Sequence, residues 1–133
     1  MLTWTQALSV GVKEIDDQHK YWFELFNELF SSFKNLSIKE DLGGILDRVI
    51  SYTRSHFATE EKYFDQFNYP ETKEHTQIHQ WMLTKLEKFA LQYNQGDLEI
   101  IEPTLSFFED WLVDHIGIVD KKYSKFFNEH GLH

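Results

Sequence analysis

The sequence lacks cysteine and contains only two prolines and six glycines among its 133 residues. Without cysteine, the chain cannot form a disulfide, bind a metal through a thiolate or use a cysteine nucleophile. Any metal that it binds must therefore be held by nitrogen and oxygen atoms. Because proline and glycine are the strongest breakers of regular structure, their scarcity leaves long segments free to form helices.

The sequence also lacks long hydrophobic runs and an excess of positive charge. No segment approaches the ~18 continuous apolar residues that a membrane span needs, and the N-terminal residues show no basic start followed by an apolar run. The formal net charge of −9 repels the phosphates of nucleic acids and of anionic lipid surfaces. We therefore expect a soluble, cytoplasmic protein that binds neither nucleic acid nor membrane.

Hydrophobic residues are nevertheless plentiful, at 41% of the chain. They recur at three- and four-residue steps, the period of an amphipathic helix, without the alternation typical of strands. We predict one domain over residues 1–133, with an extended arm over residues 1–16 and helices over residues 17–34, 39–67, 71–94 and 103–128. Four helices with short connections, each with one apolar stripe, predict an all-α fold, an antiparallel up-down-up-down four-helix bundle.

Histidine and acidic side chains interrupt all four apolar stripes at corresponding positions. In an up-down-up-down bundle, the starts of the first and third helices share one level with the ends of the second and fourth. The interrupting residues fall at that level and are His19, His56, Glu60, His75, His79, His115 and Asp120. We therefore predict that these side chains meet at one end of the bundle.

The spacing within the second and third helices supports this prediction. His56 and Glu60 are four residues apart, and so are His75 and His79. Residues four apart lie on one helix face, about 6 Å from each other. Each pair is therefore placed to chelate a metal ion.

The spacing within the fourth helix does not fit a regular helix. His115 and Asp120 are five residues apart, which leaves their side chains ~140° out of alignment at ~100° per residue. If both point inward, the helix needs one wide turn between them, and Gly117 can relax the backbone there. We predict such a turn, which is frequent at functional sites.

Taken one at a time, these residues have ordinary explanations. A lone His19 or His115 is more often a hydrogen-bonded core histidine, and Asp120 alone is more often a solvated acid. His130 and His133 lie in the C-terminal tail and keep this ordinary interpretation. The joint placement of five imidazoles and two carboxylates is different, because buried polar groups without partners are costly. The set therefore predicts a metal site.

The ligand types narrow the identity of the metal without fixing it. Imidazole and carboxylate ligands without sulfur suit iron, zinc, manganese or copper. Seven protein ligands exceed the four of a structural zinc site and match two metal ions that share bridging carboxylates. Because Thr76 follows His75, the histidine pair lacks the glutamate of an H-E-x-x-H protease.

The motifs around these residues are similar to those of a known family. They are Val10-Gly11-Val12, Ile15-Asp16-Asp17-Gln18-His19, His56-Phe57-x-x-Glu60-Glu61, His75-x-x-x-His79 and Trp111-Leu112-x-x-His115-Ile116-x-x-x-Asp120. Over about residues 4–123 the chain resembles the hemerythrins, in particular the bacterial single-domain hemerythrins. The spacing of all the candidate ligands agrees with this family.

The resemblance implies a non-haem di-iron centre that binds molecular oxygen reversibly. It also implies a solvent-derived oxo or hydroxo bridge between the two irons and an open position for oxygen on the second iron. By position, the first iron would be held by His75, His79 and His115, the second by His19 and His56, and both by the bridging Glu60 and Asp120.

The resemblance further implies an apolar oxygen pocket around the open position. The matching residues are Phe57, Leu112 and Val119, with Trp111 nearby. The chain departs from the family at Tyr63-Phe64, where many relatives carry Leu-Met after the paired glutamates. This departure affects the packing near the pocket and leaves the ligands intact.

The function implied by the resemblance is oxygen storage or delivery, without enzymatic activity. The ligands support this because imidazoles dominate, whereas di-iron oxidases in four-helix bundles use mainly carboxylates. Fewer anionic ligands give less support to high-valent iron, so reversible binding is favoured over oxygen activation. Two alternatives stay open: a sensor that reports oxygen or redox state to a partner, and turnover of peroxide or nitric oxide at the same site.

Overall fold

The computed structural model describes residues 2–34 and 39–133, and this part of the chain contains helices and no strand. After a 3₁₀ turn at Gln6–Leu8, the elements are α1 (Lys13–Lys34), α2 (Lys39–Phe67), α3 (Thr72–Asn94), α4 (Ile101–Asp114), a π-helical turn (His115–Val119) and α5 (Lys121–Glu129). The last three form the fourth helix of the bundle. The predicted all-α four-helix bundle is confirmed. The predicted break between the first two helices, at residues 35–37, lies outside the described residues.

The first helix begins earlier than the sequence predicts. α1 starts at Lys13 and not at residue 17, so the extended arm is shorter than residues 1–16 and also contains the 3₁₀ turn. The reason is that Asp16 lies inside the first turn and reaches back to the arm. Its carboxylate accepts hydrogen bonds from the Val10 backbone N–H at 2.8 Å and from the Ser9 hydroxyl at 2.5 Å. These bonds satisfy donors near the helix start, much as a capping box does.

Three of the other boundaries differ from the prediction by one or two residues, and the rest coincide with it. α3 begins at Thr72 and not at residue 71, and α4 begins at Ile101 and not at residue 103. Pro103 therefore lies at the third position of α4, still within the first turn, where a backbone N–H has no helical partner to lose. The fourth helix ends at Glu129, one residue beyond the predicted end, and is interrupted by the π-helical turn.

The buried apolar side chains form two clusters, and the histidines lie among them. The larger cluster includes Phe57 and Leu112, and the smaller one includes Phe64 and Tyr123. α1 packs against α2 and α4, and α2 packs against α3. None of the described helices combines the length and the apolar character that crossing a membrane requires.

Candidate metal centre

All the predicted ligands lie buried at one level of the bundle. None of their side chains belongs to a residue more than 3% exposed, and five of them are fully buried. α1 contributes His19, α2 contributes His56 and Glu60, α3 contributes His75 and His79, and the fourth helix contributes His115 and Asp120. The structure therefore brings together every side chain of the predicted set.

The set divides into two groups that share a carboxylate. One ligand atom each from Glu60, His75, His79 and His115 lies within 4.8 Å of the others, and the same limit holds for His19, His56, Glu60 and Asp120. Both groups have the donor types and the spacing that a metal ion requires. Glu60 belongs to both groups, so it lies between two adjacent candidate metal positions.

Asp120 also lies between histidines of the two groups. Its Oδ1 atom is 3.0 Å from His115 Nε2 and 3.1 Å from His75 Nε2. Its Oδ2 atom is 3.2 Å from His19 Nε2. One carboxylate oxygen therefore faces each group, as a bridging ligand requires.

Glu60 lies close to histidines of α2 and α3 in a similar way. Its Oε1 atom is 2.8 Å from His56 Nε2 and 3.8 Å from His79 Nε2. Its Oε2 atom is 3.7 Å from His75 Nε2. The two carboxylates thus lie among the Nε2 atoms of the histidines and not at the edge of the cluster.

The fourth helix achieves this geometry through the π-helical turn at His115–Val119. The backbone N–H of Asp120 donates a 2.8 Å hydrogen bond to the carbonyl of His115, five residues back. This wider turn rotates Asp120 to the same side as His115, whereas a regular helix would not. The predicted wide turn between these two residues is therefore confirmed, and Gly117 lies within it.

The polar atoms of this cluster fit a metal centre because most of them have no hydrogen-bond partner. The atoms without a partner include both oxygens of Glu60 and of Asp120 and the Nε2 atoms of His75, His79 and His115. So many buried polar atoms without partners would be costly in a protein that binds nothing there. Two cations among these nitrogen and oxygen atoms would satisfy them together, and imidazole with carboxylate is a donor set that suits iron.

The electrostatic environment keeps the carboxylates ionised. Burial alone would raise the pKa of Asp120, but His115 and the other nearby histidines outweigh it and hold that pKa well below its ordinary value. Burial and Asp120 act to raise the pKa of Glu60, but His56 and His79 outweigh them and lower it. Burial lowers the pKa of His79, whereas at His115 the effect of burial is outweighed by Asp120, which raises the pKa. Anionic carboxylates and neutral imidazoles are the forms that bind metal ions.

The side chains that face the Nδ1 atoms of two ligand histidines were not predicted from the sequence. The Gln18 side-chain oxygen lies 2.7 Å from His56 Nδ1, and a carboxylate oxygen of Glu61 lies 3.9 Å from His79 Nδ1. Gln18 directly precedes one candidate ligand, and Glu61 directly follows another, so both positions were visible in the motifs. Their partners were not, because the partner histidines lie on other helices.

Aromatic rings cover the cluster on the side of the larger apolar core. Phe57 stacks on His79 with ring centroids 3.7 Å apart, and Trp111 stacks on His115 with centroids 4.4 Å apart. Trp22, which was not among the predicted pocket residues, lies 5.1 Å from His56 and 5.7 Å from Phe57 between ring centroids. Its indole N–H donates to the Thr53 hydroxyl at 3.0 Å, which fixes the ring.

The remaining predicted pocket residues lie in two different environments. Leu112 is fully buried in the larger core cluster. Val119 is only half-buried and lines a surface cleft of about 630 Å³ that reaches Trp111 and His115. Ile116, which the sequence analysis did not place in the pocket, is fully buried beside these residues in the same core cluster as Leu112. The π-helical turn, which includes Val119, brings Asp120 to the side of His115, and Val119 is left half-buried.

Tyr63 and Phe64, the two residues at which the chain departs from the family pattern, belong to the smaller apolar cluster. Phe64 is fully buried, and its ring meets that of His75 edge to face with centroids 4.8 Å apart. The Tyr63 hydroxyl donates a 2.9 Å hydrogen bond to the Glu14 carboxylate, which ties α2 to the start of α1. His130 lies outside the site, where its Nδ1 atom is 2.8 Å from the carbonyl of Phe126, and His133 is exposed.

Comparison with known proteins places this arrangement in a family. The family model for the hemerythrin HHE cation binding domain matches residues 10–127, which include every candidate ligand. The bacteriohemerythrin of Methylococcus capsulatus is 32% identical over 124 residues, which cover 92% of this chain and 94% of that protein. Myohemerythrin-1 of Phascolopsis gouldii is 32% identical over 120 residues, which cover 90% of this chain and 89% of that protein. A crystal structure of wild-type hemerythrin matches with a TM-score of 0.87 at 31% identity and covers 94% of this chain and 96% of that one.

Proposed function

The chain belongs to the hemerythrin family, and we propose that it binds molecular oxygen reversibly at a di-iron centre, for oxygen storage or delivery. The observation that carries this proposal is the pair of donor groups that share Glu60. A structural metal site needs one closed group of four donors, whereas two overlapping groups suit two metal ions side by side.

The two groups differ in their number of imidazoles, and this difference supports a site with room for a small ligand. We assign His75, His79 and His115 to one iron and His19 and His56 to the other, with Glu60 and Asp120 bridging both. The second iron then has one imidazole fewer than the first. When bound, such a centre supplies electrons that can be shared reversibly with molecular oxygen.

The protein's own residues would control access to that centre. The ring of Trp22 lies next to His56, in the group with fewer imidazoles, and the ring of Phe57 stacks on His79 with its centroid 6.0 Å from that of His56. Both rings are essentially buried. They would exclude water and anions from the position where oxygen binds, as a dry, apolar cover must.

The proposal is for a cytoplasmic binding protein whose partner is molecular oxygen, and not for an enzyme. The balance of five imidazoles to two carboxylates in the donor set supports this choice. Carboxylate-rich sites suit oxygen activation, as in the di-iron oxidases built on four-helix bundles. A histidine-rich site with few anionic donors is better suited to reversible binding.

Oxygen titration of the reduced, iron-loaded protein tests the proposal. We expect about two irons per chain and an optical spectrum that appears with oxygen and disappears when oxygen is removed, over repeated cycles. Net consumption of oxygen in each cycle would instead support turnover. One metal per chain, or a reduced protein that never takes up oxygen, would contradict the proposal.

A further inference from the structure

A second cleft lies on the surface between α3 and α4, and it shares Trp81 with the cleft beside His115. It encloses about 310 Å³ and is lined by residues from both helices. Phe89 and Phe108 lie at its base and are almost fully buried, whereas Trp81 and Phe107 are 44% and 41% exposed. The rings of Trp81 and Phe107 meet edge to face with centroids 5.8 Å apart. Large exposed aromatic rings in a concave site offer apolar surface that a ligand can bury.

The charge of this cleft is opposite to that of the whole chain. The sequence carries 22 acidic residues against 13 basic ones. The charged residues that line the cleft are nevertheless Lys85 and Lys88, and no carboxylate is among the lining residues that the structure describes. A cleft that concentrates positive charge within an acidic protein favours an anionic ligand.

Both lysines are available to pair with a ligand. The ammonium group of Lys85 lies 5.5 Å from the centroid of the Trp81 ring, which holds it beside the apolar wall. Within residues 2–34 and 39–133, the lysine and arginine ion pairs involve other residues than Lys85 and Lys88. The Thr104 hydroxyl and the Gln92 amide add neutral donors to the lining. The cleft therefore combines an aromatic base with donors for one small anionic group.

We propose that this cleft binds a small amphiphilic carboxylate, such as a short alkyl or aryl carboxylic acid. The apolar part of the ligand packs against Trp81 and Phe107, and the carboxylate pairs with Lys85 and Lys88. A carboxylate with an apolar body fits better than a neutral apolar ligand, because the neutral ligand leaves the two lysines without a counter-charge. The proposal does not depend on the oxygen-binding function, since none of the candidate iron ligands lines this cleft.

Three ligands with the same eight-carbon chain distinguish the apolar and the ionic contributions to binding in this cleft. Octanoate, 1-octanol and octylammonium are titrated into the iron-loaded full-length protein at low salt, and binding is measured by calorimetry. We expect saturable octanoate binding with a Kd below about 1 mM. Octylammonium is expected to bind at least about tenfold more weakly, because the lysines repel it, with 1-octanol between the two.

Variants then locate the binding site. Lys85→Gln/Lys88→Gln should weaken octanoate binding about tenfold and leave 1-octanol binding unchanged. Trp81→Ala should weaken both ligands at least about fivefold, because it removes the aromatic wall. The matched control is Lys20→Gln/Lys34→Gln, which removes the same charge from two lysines over other aromatic rings, Trp4 and Phe30. This control should bind octanoate as the parent protein does.

Helical content and iron content check that each variant is folded. The proposal is wrong if octanoate shows no saturable binding below about 10 mM, or if octylammonium binds as tightly as octanoate. It is also wrong if the control variant loses octanoate binding to the same extent as Lys85→Gln/Lys88→Gln, because the effect would then be one of overall charge. Failure of these tests leaves the oxygen titration unaffected, so the two proposals are judged separately.

Discussion

The Oε1 atom of Gln18 lies 2.7 Å from the Nδ1 atom of His56, on the side of the ring away from the other candidate ligands. The amide is held in this orientation because its Nε2 atom donates a 3.2 Å hydrogen bond to the Thr59 hydroxyl. That hydroxyl in turn donates to the Ser55 carbonyl at 3.2 Å. His56 Nδ1 must therefore carry the proton, which leaves the lone pair of Nε2 free for a metal ion.

Replacement of Gln18 tests this relationship. Gln18→Leu removes the acceptor and frees the His56 ring to rotate and change its tautomer. Loss of such a supporting group typically lowers metal affinity about 10–100-fold, and we expect a decrease in that range when iron is withdrawn by a competing chelator. The control is Gln66→Leu at an exposed position of the same helix as His56. Equal iron retention in both variants would contradict the proposed role of Gln18.

The ligand pairs within helices could be predicted from the sequence because they depend on local geometry alone. A spacing of four residues on a helix fixes the relative placement of His75 and His79 whatever the rest of the chain does. The misfit of His115 and Asp120 was equally informative, since two inward-facing side chains five apart require a wider turn.

Other features depend on how helices pack, and the sequence pattern does not specify them. The pairing of Gln18 with His56 joins residues 38 positions apart. The early start of α1 depends on Asp16 bonding to the arm that precedes the helix. The half-buried position of Val119 follows from the π-helical turn at His115–Val119, which turns Asp120 to the side of His115. Each of these features depends on where the backbone of one segment lies relative to another, and the periodicity of apolar residues does not determine this.

Removal of the metal is expected to destabilise the fold, because the empty cluster leaves buried polar atoms without partners. Iron that binds only the native state stabilises it by about 4 kcal/mol when its free concentration is 1,000 times the Kd. We expect the apo protein to melt at least about 10 °C below the iron-loaded protein, as measured by circular dichroism. Identical melting temperatures would mean that the cluster does not bind iron in the native state.

The turn before α1 is expected to be sensitive to a side chain at Gly11. Gly11 has a φ of 71°, and an added Cβ would lie 3.0 Å from the Asn128 side-chain oxygen. Gly11→Ala should therefore lower the free energy of unfolding by about 1–2 kcal/mol, as measured by urea denaturation. The control is Gly44→Ala in α2, where nothing lies within 4 Å of an added Cβ. That change should stabilise the protein by about 0.5–1 kcal/mol, and equal effects would argue against the role of Gly11.

Substitution of single histidines tests which of them bind iron. His115→Ala removes a buried donor whose Nε2 atom lies 3.0 Å from Asp120, and we expect it to lose at least about one of two irons. His130→Ala removes a histidine outside the cluster that is exposed to solvent, so iron content should stay at the parent level. Metal analysis of the two purified variants measures the difference. Full iron content in His115→Ala would remove this residue from the ligand set.

A substitution at Leu112 gives the clearest test of whether the cluster is an oxygen-binding centre or a structural metal site. Its side chain is fully buried next to Trp111, which stacks on His115, and it forms part of the apolar core above the ligands. Leu112→Ala leaves every candidate ligand in place but opens a cavity, at a cost of about 2–5 kcal/mol in stability. Water and anions can then approach the site that the leucine kept dry.

We therefore expect Leu112→Ala to keep about two irons per chain. Its oxygenated optical spectrum should decay at least about fivefold faster than that of the parent protein, because a dry apolar shell governs solvent access to the metal. Leu91→Ala is the matched control, because Leu91 is 58% exposed and lies on α3 away from the ligands. Its spectrum should decay at the parent rate. A parent-like decay in Leu112→Ala would show that this side chain does not protect bound oxygen, and the pocket would then have to be sought around Phe57 and Trp22.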